Sequence, residues 1–463
     1  MLDIALFRDA PERIRADHDR RGLPHDAIDE VIRLDGAWRD LLKATDVLRA
    51  ERNQAARAIG AAKKAGNQEE MQRVLAEVAS IGERITSMEK EVDEALAARD
   101  AVRMSIPNLL HEAVPSGADE SGNTVHSVHG EKPTFSFEPR THNDLIEMNR
   151  WVDLERAAKV AGSRFYYLKG DLARMEMALS AYAVDFLRER GYTFVQPPVM
   201  MNRTAYEGVT DLGDFETVMY GIEPDGYYMT ATSEHPLTAM YMGETVPEEH
   251  LPLRLVGVSD CFRREVGAHG QSDRGIWRVH QFRKVEQIVI SDAEGSWDLH
   301  EELLQNCIDL WDALGLHYEV VNICTGDMGT VASRKYDLEA WLPGAKAYKE
   351  VVSCSNCTDY QANRLQIRTG VPGHANQPIA HTLNSTAVAT SRALVAIMEQ
   401  NQLEDGRVRV PDVLQPYMSG QGVLEACALG GLAPAAKANI AATPGPKGRL
   451  GQDHSTKPAI APA

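Results

Sequence analysis

The sequence predicts an α+β chain: an antiparallel β-sheet with flanking helices, preceded by a long antiparallel helical arm. Three observations carry this. Residues 30–104 contain no proline and repeat small or apolar residues in steps of three and four. Beyond residue 190, strand-like runs far outnumber the helices that could cross between them. Neither GxGxxG nor GxxxxGKS/T occurs, so nothing supports a Rossmann or P-loop nucleotide fold.

The arm comes first. Leu34, Trp38, Leu41, Thr45, Leu48, Ala55, Ile59 and Ala62 trace one stripe, and Leu75, Val78, Ile85, Met88, Val92, Ala95 and Val102 a second. Gly66-Asn67 between them suits a reversal, so two helices fold back as a coiled coil. About 30 residues per helix gives an arm of roughly 45 Å. Ser105-Ile-Pro ends the second helix, because the residue before proline avoids the helical region. Near the tip Arg49, Arg52, Arg57, Lys63, Lys64 and Arg73 face only Glu51, Glu69 and Glu70. A solvated hairpin explains such a surplus blandly, and a phosphate-binding arm explains it specifically.

The rest follows in order. Residues 1–110 form the arm-bearing unit, 111–145 a Pro/Gly/His-rich linker, 146–420 the sheet domain and 421–463 a disordered Ala/Gly/Pro-rich tail with a short helix near 421–429. A helix over 171–190 leads into the strand YTFVQPPVMM. The runs YYMTAT, LPLRLVGV, VHQFRKVEQIVI, YEVVNIC and AYKEVVSC read as strands, and 385–401 as a late helix.

Composition narrows the function. The 463 residues are 43% hydrophobic and 25% charged, with net charge −18. No global basic field exists, so any nucleic-acid contact needs a local patch. The N-terminus lacks an apolar leader run, and no 18-residue apolar stretch occurs, which predicts a cytoplasmic protein with no membrane contact. Six cysteines are too sparse for a disulfide framework. Cys354-Ser-Asn-Cys357 has zinc spacing, but no second CxxC or HxxxH follows, so no zinc is expected.

The chemistry concentrates in Phe262–Glu286. Such a charge run is most often a solvated face. Read as a strand, however, VHQFRKVEQIVI puts Arg278, His280, Phe282, Lys284 and Glu286 on one side over about 25 Å. Trp277, Val279, Gln281, Arg283 and Val285 fall on the other. Arg263 and Glu265 share a face by the same rule, with a glycine-rich loop over 266–275 between the two strands. A cation, a ring and an anion in a row suit a ligand with phosphates, a flat base and an ammonium, that is, a nucleotide and an amino acid.

FRRE…RVHQFRKVE resembles motif 2 of the class II aminoacyl-tRNA synthetases, most closely the seryl-tRNA synthetases. GYTFVQPP is similar to motif 1, HTLNSTAVATSRALVAIMEQ to motif 3, and TATSEHPLTAM to the family's serine loop. CTGDMGTVASRKYDLEAWLPGAKAYKEVVSCSNCTDYQANR resembles the seryl subgroup specifically. The likeness spans residues 1 to about 420 and implies the class II fold, seryl-adenylate formation from L-serine and ATP, and transfer to tRNA(Ser), with tRNA(Sec) left open.

The resemblance also implies roles. Arg263 holds the ATP α-phosphate, Glu265 lies near the adenine, Phe282 stacks on it, and Arg392 takes the γ-phosphate; Arg263, Glu265 and Arg392 form the catalytic set. Arg278 is a second phosphate contact, and Arg264, Val279, His280, Gln281, Val351 and Val352 complete the ATP segment. Thr232, Glu234, Glu286, Asn384 and Thr386 bind serine, Glu286 through its ammonium. Glu350 and Ser353 hold Mg²⁺. The six basic tip residues meet the long variable arm of tRNA(Ser), and motif 1 makes a homodimer. The chain departs from the family at Glu350-Val-Val-Ser353, at Asn384-Ser-Thr-Ala387 and at His235, for which packing is the expected role. Glu350 and Ser353 differ in parity, so a strand aiming both at one ion must bulge. Two alternatives stay open: a paralogue feeding activated serine into biosynthesis or self-resistance, and a non-catalytic tRNA-binding paralogue.

Overall fold

The computed structural model describes residues 1–210, 217–266 and 275–429. Most of the glycine-rich loop, with Asp273 and Arg274, and the chain from 430 onward lie outside the described residues.

The arm is longer than the repeat suggests. Helix α1 spans Asp26–Lys64 and α2 spans Gln68–Met104, 39 and 37 residues, or nearly 60 Å for the longer at 1.5 Å per residue. The expected start near 30 misses the first turn. Gly66, at φ 68°, makes the reversal, and Asn67 caps α2 by accepting from the Glu70 N–H at 3.1 Å. Leu48, Ile81 and Ile85 form the seam midway along the arm. At its base Asp35 is buried and accepts from Arg8 at 2.7 Å and Arg99 at 3.0 Å. Asn108 then ties the arm unit to the sheet domain, donating to the carbonyls of Val331 and Cys357.

The large sheet has eight strands: β1 Thr124–His129, β2 Thr193–Val195, β3 Leu253–Phe262, β4 Gln281–Ser291, β5 Tyr318–Asn322, β6 Arg334–Leu342, β7 Ala347–Asn356 and β8 His381–Ala389. Their order is β1-β5-β6-β7-β8-β4-β3-β2. Every pair is antiparallel except β2 with β3. Helices α3 (Gly170–Arg188), α4 (Ser296–Ala313) and α5 (Thr390–Gln400) cover one face. Val285, Val352 and Val388 point into that core. Alternation then sends Lys284, Glu286 and Ser353 to the opposite, open face.

Several expectations change. The segment expected as a linker contributes β1, which closes the sheet edge against β5. The late helix starts at Thr390, because 381–389 pair as β8 with β4. Paired prolines split YTFVQPPVMM into β2 and a short strand, Met200–Asn202. Strand β4 begins at Gln281, so the parity argument does not reach Arg278 or His280. Residues 421–429 are neither helical nor free. Val423–Leu424 pairs with Val408–Arg409, Trp151 Nε1 donates to the Glu425 carbonyl at 2.8 Å, and Leu424 is fully buried. No helix among the described residues is long and apolar enough to cross a membrane.

Candidate active site

A cavity of about 310 Å³ opens on the uncovered face of the sheet. Strand β4 supplies Phe282, Lys284 and Glu286, and β8 supplies Asn384 and Thr386. Glu286 sits directly across from Thr386, where the register shifts by a residue. The serine-loop segment adds Thr232, Glu234 and His235 at the start of a short helix, Glu234–Ala239. Arg263 and Glu265 follow β3, and Arg392 stands in the first turn of α5.

Strand β7 contains the bulge that parity demands. Val352 pairs with Leu338, but Glu350 pairs with Glu339, leaving Val351 as the extra residue. Glu350, Val351 and Ser353 therefore all line the cavity.

Two carboxyls lie deep. Glu286 is 1% exposed, and burial pushes it up to about 7. Lys284 Nζ forms an ion pair with Glu286 Oε2 at 2.7 Å. Lys284 also donates to Thr232 Oγ1 at 3.2 Å. Glu234, also raised by burial, accepts from Gln361 at 2.9 Å and Asn384 at 3.2 Å. A subsite with two acids, two threonine hydroxyls and one amide accepts a small ligand that carries both an ammonium and a hydroxyl.

The outer half is cationic and aromatic. Arg263 lies 5.3 Å from the Phe282 ring centre, and Arg392 5.4 Å from that of Trp277. Arg278 pairs with Glu265 at 3.0 Å. Arg392 lies 3.2 Å from Glu350 Oε1 and also donates to the Glu350 carbonyl. The walls around Glu350 would raise its pKa, but Arg392 and then Lys335 outweigh them and hold it below the ordinary value. Behind it, buried Asp337 pairs with Lys335 at 2.9 Å and leaves Oδ1 without a hydrogen-bond partner.

Four of the sequence-assigned residues do not line this cavity. Gln281 faces the other side of β4, as its parity requires. Val352 sits in the hydrophobic core. His280 Nδ1 lies 2.8 Å from the Arg263 carbonyl oxygen, bracing the chain behind the site. Arg264 N–H donates to the Val218 carbonyl, outside the cavity wall. The tip residues Arg49, Arg52, Arg57, Lys63, Lys64 and Arg73 belong to the arm. Arg49 pairs with Asp46 and Glu89, and Arg73 with Glu70. Arg52, Arg57, Lys63 and Lys64 are exposed and make no ion pair among the described residues.

Lys284 and Trp277 line the wall without a role assigned from the sequence, whereas His235 is buried as the packing reading expected. Lys284 was visible on the inward face by parity, yet its link to Glu286 depends on the fold. His235 is buried against Tyr206, ring centres 5.0 Å apart, with Nδ1 unpartnered. Burial lowers it to about 3, so it is neutral.

Comparison with known proteins agrees with this geometry. Residues 1–110 match the family described as seryl-tRNA synthetase N-terminal domain, and 220–401 that described as tRNA synthetase class II core domain (G, H, P, S and T). The serine–tRNA ligase of Methanoculleus marisnigri is 50% identical over 427 residues, covering 92% of this chain and all of the relative. The chain superimposes on Pyrococcus horikoshii seryl-tRNA synthetase complexed with ATP at TM-score 0.84, with 44% identity over 92% of this chain and 100% of that one. For the cytoplasmic Naegleria fowleri serine–tRNA ligase in complex with AMP the values are 0.80, 34%, 92% and 99%.

Proposed function

This chain belongs to the seryl-tRNA synthetase family and joins serine to tRNA, and from that premise we propose how its residues divide the work. The observation that carries the assignment is the buried Glu286 carboxylate, lining the cavity directly across the strand pair from Thr386. The serine ammonium meets Glu286 and Thr232. Thr386 and Asn384 read the hydroxyl, and Glu234 orients Asn384. An alanine in this pocket would leave those polar groups unpaired, which disfavours it strongly.

ATP occupies the outer half. Phe282 stacks on the adenine, with Glu265 beside it, and Arg263, Arg278 and Arg392 neutralise the phosphates. The serine carboxylate attacks the α-phosphorus in line, forming the acyl–phosphate bond while pyrophosphate leaves. The 3′-terminal ribose hydroxyl of tRNA then attacks the serine carbonyl, forming the ester while AMP leaves. No side-chain nucleophile is needed; positioning and charge neutralisation supply the rate.

Glu350 and Ser353 would hold Mg²⁺. A carboxylate and a hydroxyl on one strand face are hard-oxygen donors of the kind this ion takes, with phosphate oxygens and waters completing the shell. Bound there, it supplies further charge neutralisation at the phosphates. Glu350 must then exchange its contact with Arg392, which frees that guanidinium for the γ-phosphate.

The arm holds the long variable arm of tRNA(Ser), with Arg52, Arg57, Lys63 and Lys64 the most available of the six basic residues. The arm unit over 1–110 thus serves tRNA binding and the sheet domain the chemistry, in the cytoplasm. A homodimer is supported by an apolar groove of about 530 Å³ that includes Pro197, Met200, Tyr227, Leu237, Met240 and Met242, four of them largely exposed. Arg263→Ala tests the ATP assignment. Serine-dependent ATP–pyrophosphate exchange should fall by about 3 kcal/mol in kcat/KM, more than a hundredfold. A loss within about tenfold would reject the role.

A further inference from the structure

One buried carboxyl outside the cavity joins α3, β4 and α5. Glu176, on the core side of α3, is 9% exposed. Its Oε2 lies 2.9 Å from Arg283 Nη1 on β4, and its Oε1 accepts from the Thr390 hydroxyl at 3.0 Å. Thr390 also lies 3.1 Å from the Arg283 carbonyl oxygen. Arg283 in turn reaches Asp260 on β3 at 3.6 Å.

We infer that Glu176 is a positioning residue that sets the ATP half of the site through Arg283 and Thr390. The argument is geometric. Arg283 lies between Phe282 and Lys284 on β4, so holding its outward side chain and its carbonyl fixes the pleat that aims both neighbours inward. Thr390 is the first residue of α5, two positions before Arg392. That helix start has no side-chain cap from Ala389. The Thr390 hydroxyl bond to Glu176 instead ties the first residue of α5 to α3 through its side chain. One carboxylate thus coordinates the stacking ring and the γ-phosphate arginine, which come from segments more than a hundred residues apart. Because α3 leads directly into β2 and the apolar groove, the same carboxylate links the proposed dimer face to the nucleotide.

This rests on the assignment of Phe282 and Arg392 to ATP. The test uses the full chain in ATP–pyrophosphate exchange, with Glu176→Ala, Glu176→Gln and Thr390→Val, and a melting curve for each. Glu176→Ala should raise the ATP KM about tenfold, as expected for loss of orientation, with the serine KM changed less than about twofold. Glu176→Gln should fall between Glu176→Ala and the unaltered chain, and the exchange Glu176→Arg with Arg283→Glu should recover part of the loss. If Glu176→Ala does not fold, Thr390→Val removes one arm of the contact and should shift the ATP KM in the same direction. An unchanged ATP KM, or a lower melting temperature with both KM values intact, overturns the inference and leaves Glu176 a packing residue. Arg392→Ala run alongside separates the two claims: if it too leaves the ATP KM unchanged, the ATP assignment itself has failed.

Discussion

Replacing Lys284 by Met should convert a serine-activating site into one that works only at high pH. The substitution keeps most of the stem and removes the cation 2.7 Å from Glu286. Glu286 stands at about 7 with Lys284 in place, because burial outweighs its partner. At pH 7.5 about three quarters of it is then ionised. An opposite charge this close lowers a carboxyl by about 1–3 units, so its loss should take Glu286 to about 9. The ionised fraction at pH 7.5 drops to about 3%, and the serine KM should rise about 25-fold. The sign is fixed by the chemistry. Protonated Glu286 cannot accept from the serine ammonium, so kcat/KM for serine falls as pH drops through the carboxyl's pKa, which this parameter reports for the free enzyme. The assay is pyrophosphate exchange at saturating ATP between pH 6 and 8.5. The unaltered chain should bend near about 7, and Lys284→Met should bend at least about one unit higher. A flat profile for the unaltered chain, or an identical bend in both, would refute the reasoning.

Other outcomes follow from the same structure. Deleting about residues 35–100 should leave serine-dependent exchange intact and abolish charging of tRNA(Ser), and undiminished charging would exclude the arm as the tRNA contact. Reversing Lys63 and Lys64 to Glu should weaken tRNA binding and flatten its salt dependence by about one unit of slope per lost phosphate contact, measured by filter binding. Truncation after residue 429 keeps the Val423–Leu424 pairing and gives the reference melting curve. Truncation after 420 should cost about 4 kcal/mol, because it removes the buried Leu424 and the bond from Trp151 to the Glu425 carbonyl. Equal melting temperatures for the two truncations would contradict the account of that segment.

Much of the site was legible in the sequence because strands have a period of two. Parity placed Phe282, Lys284 and Glu286 together, and parity with the resemblance that assigns Glu350 and Ser353 to one ion called for a bulge between them, which lies at Val351. The same rule failed ahead of the strand, at Trp277 and Val279, which line the cavity although parity put them outward. Residues 276–280 are not in a strand, and the strand boundary is set by pairing with Phe262, a long-range fact. Length scale was misjudged in the arm, since α1 starts at Asp26 without a side-chain cap and α2 at the capping Asn67, neither marked by the stripe. Strand β1 was missed because its partner lies about 200 residues away, and the 423–424 pair because a two-residue strand carries no periodicity. Lys284 carried no assigned role because a buried contact with Glu286 has no local signature. Glu176 carries no local signal, because its partners Arg283 and Thr390 lie 107 and 214 residues away.

The most direct test of the central claim is ATP–pyrophosphate exchange by the purified chain with each of the twenty amino acids in turn, followed by charging of purified tRNA(Ser). The account predicts exchange driven by serine, with alanine and threonine each weaker by about two orders of magnitude or more, and serine esterified to the tRNA. Exchange driven equally well by alanine, or serine activation with no transfer to tRNA, would contradict it.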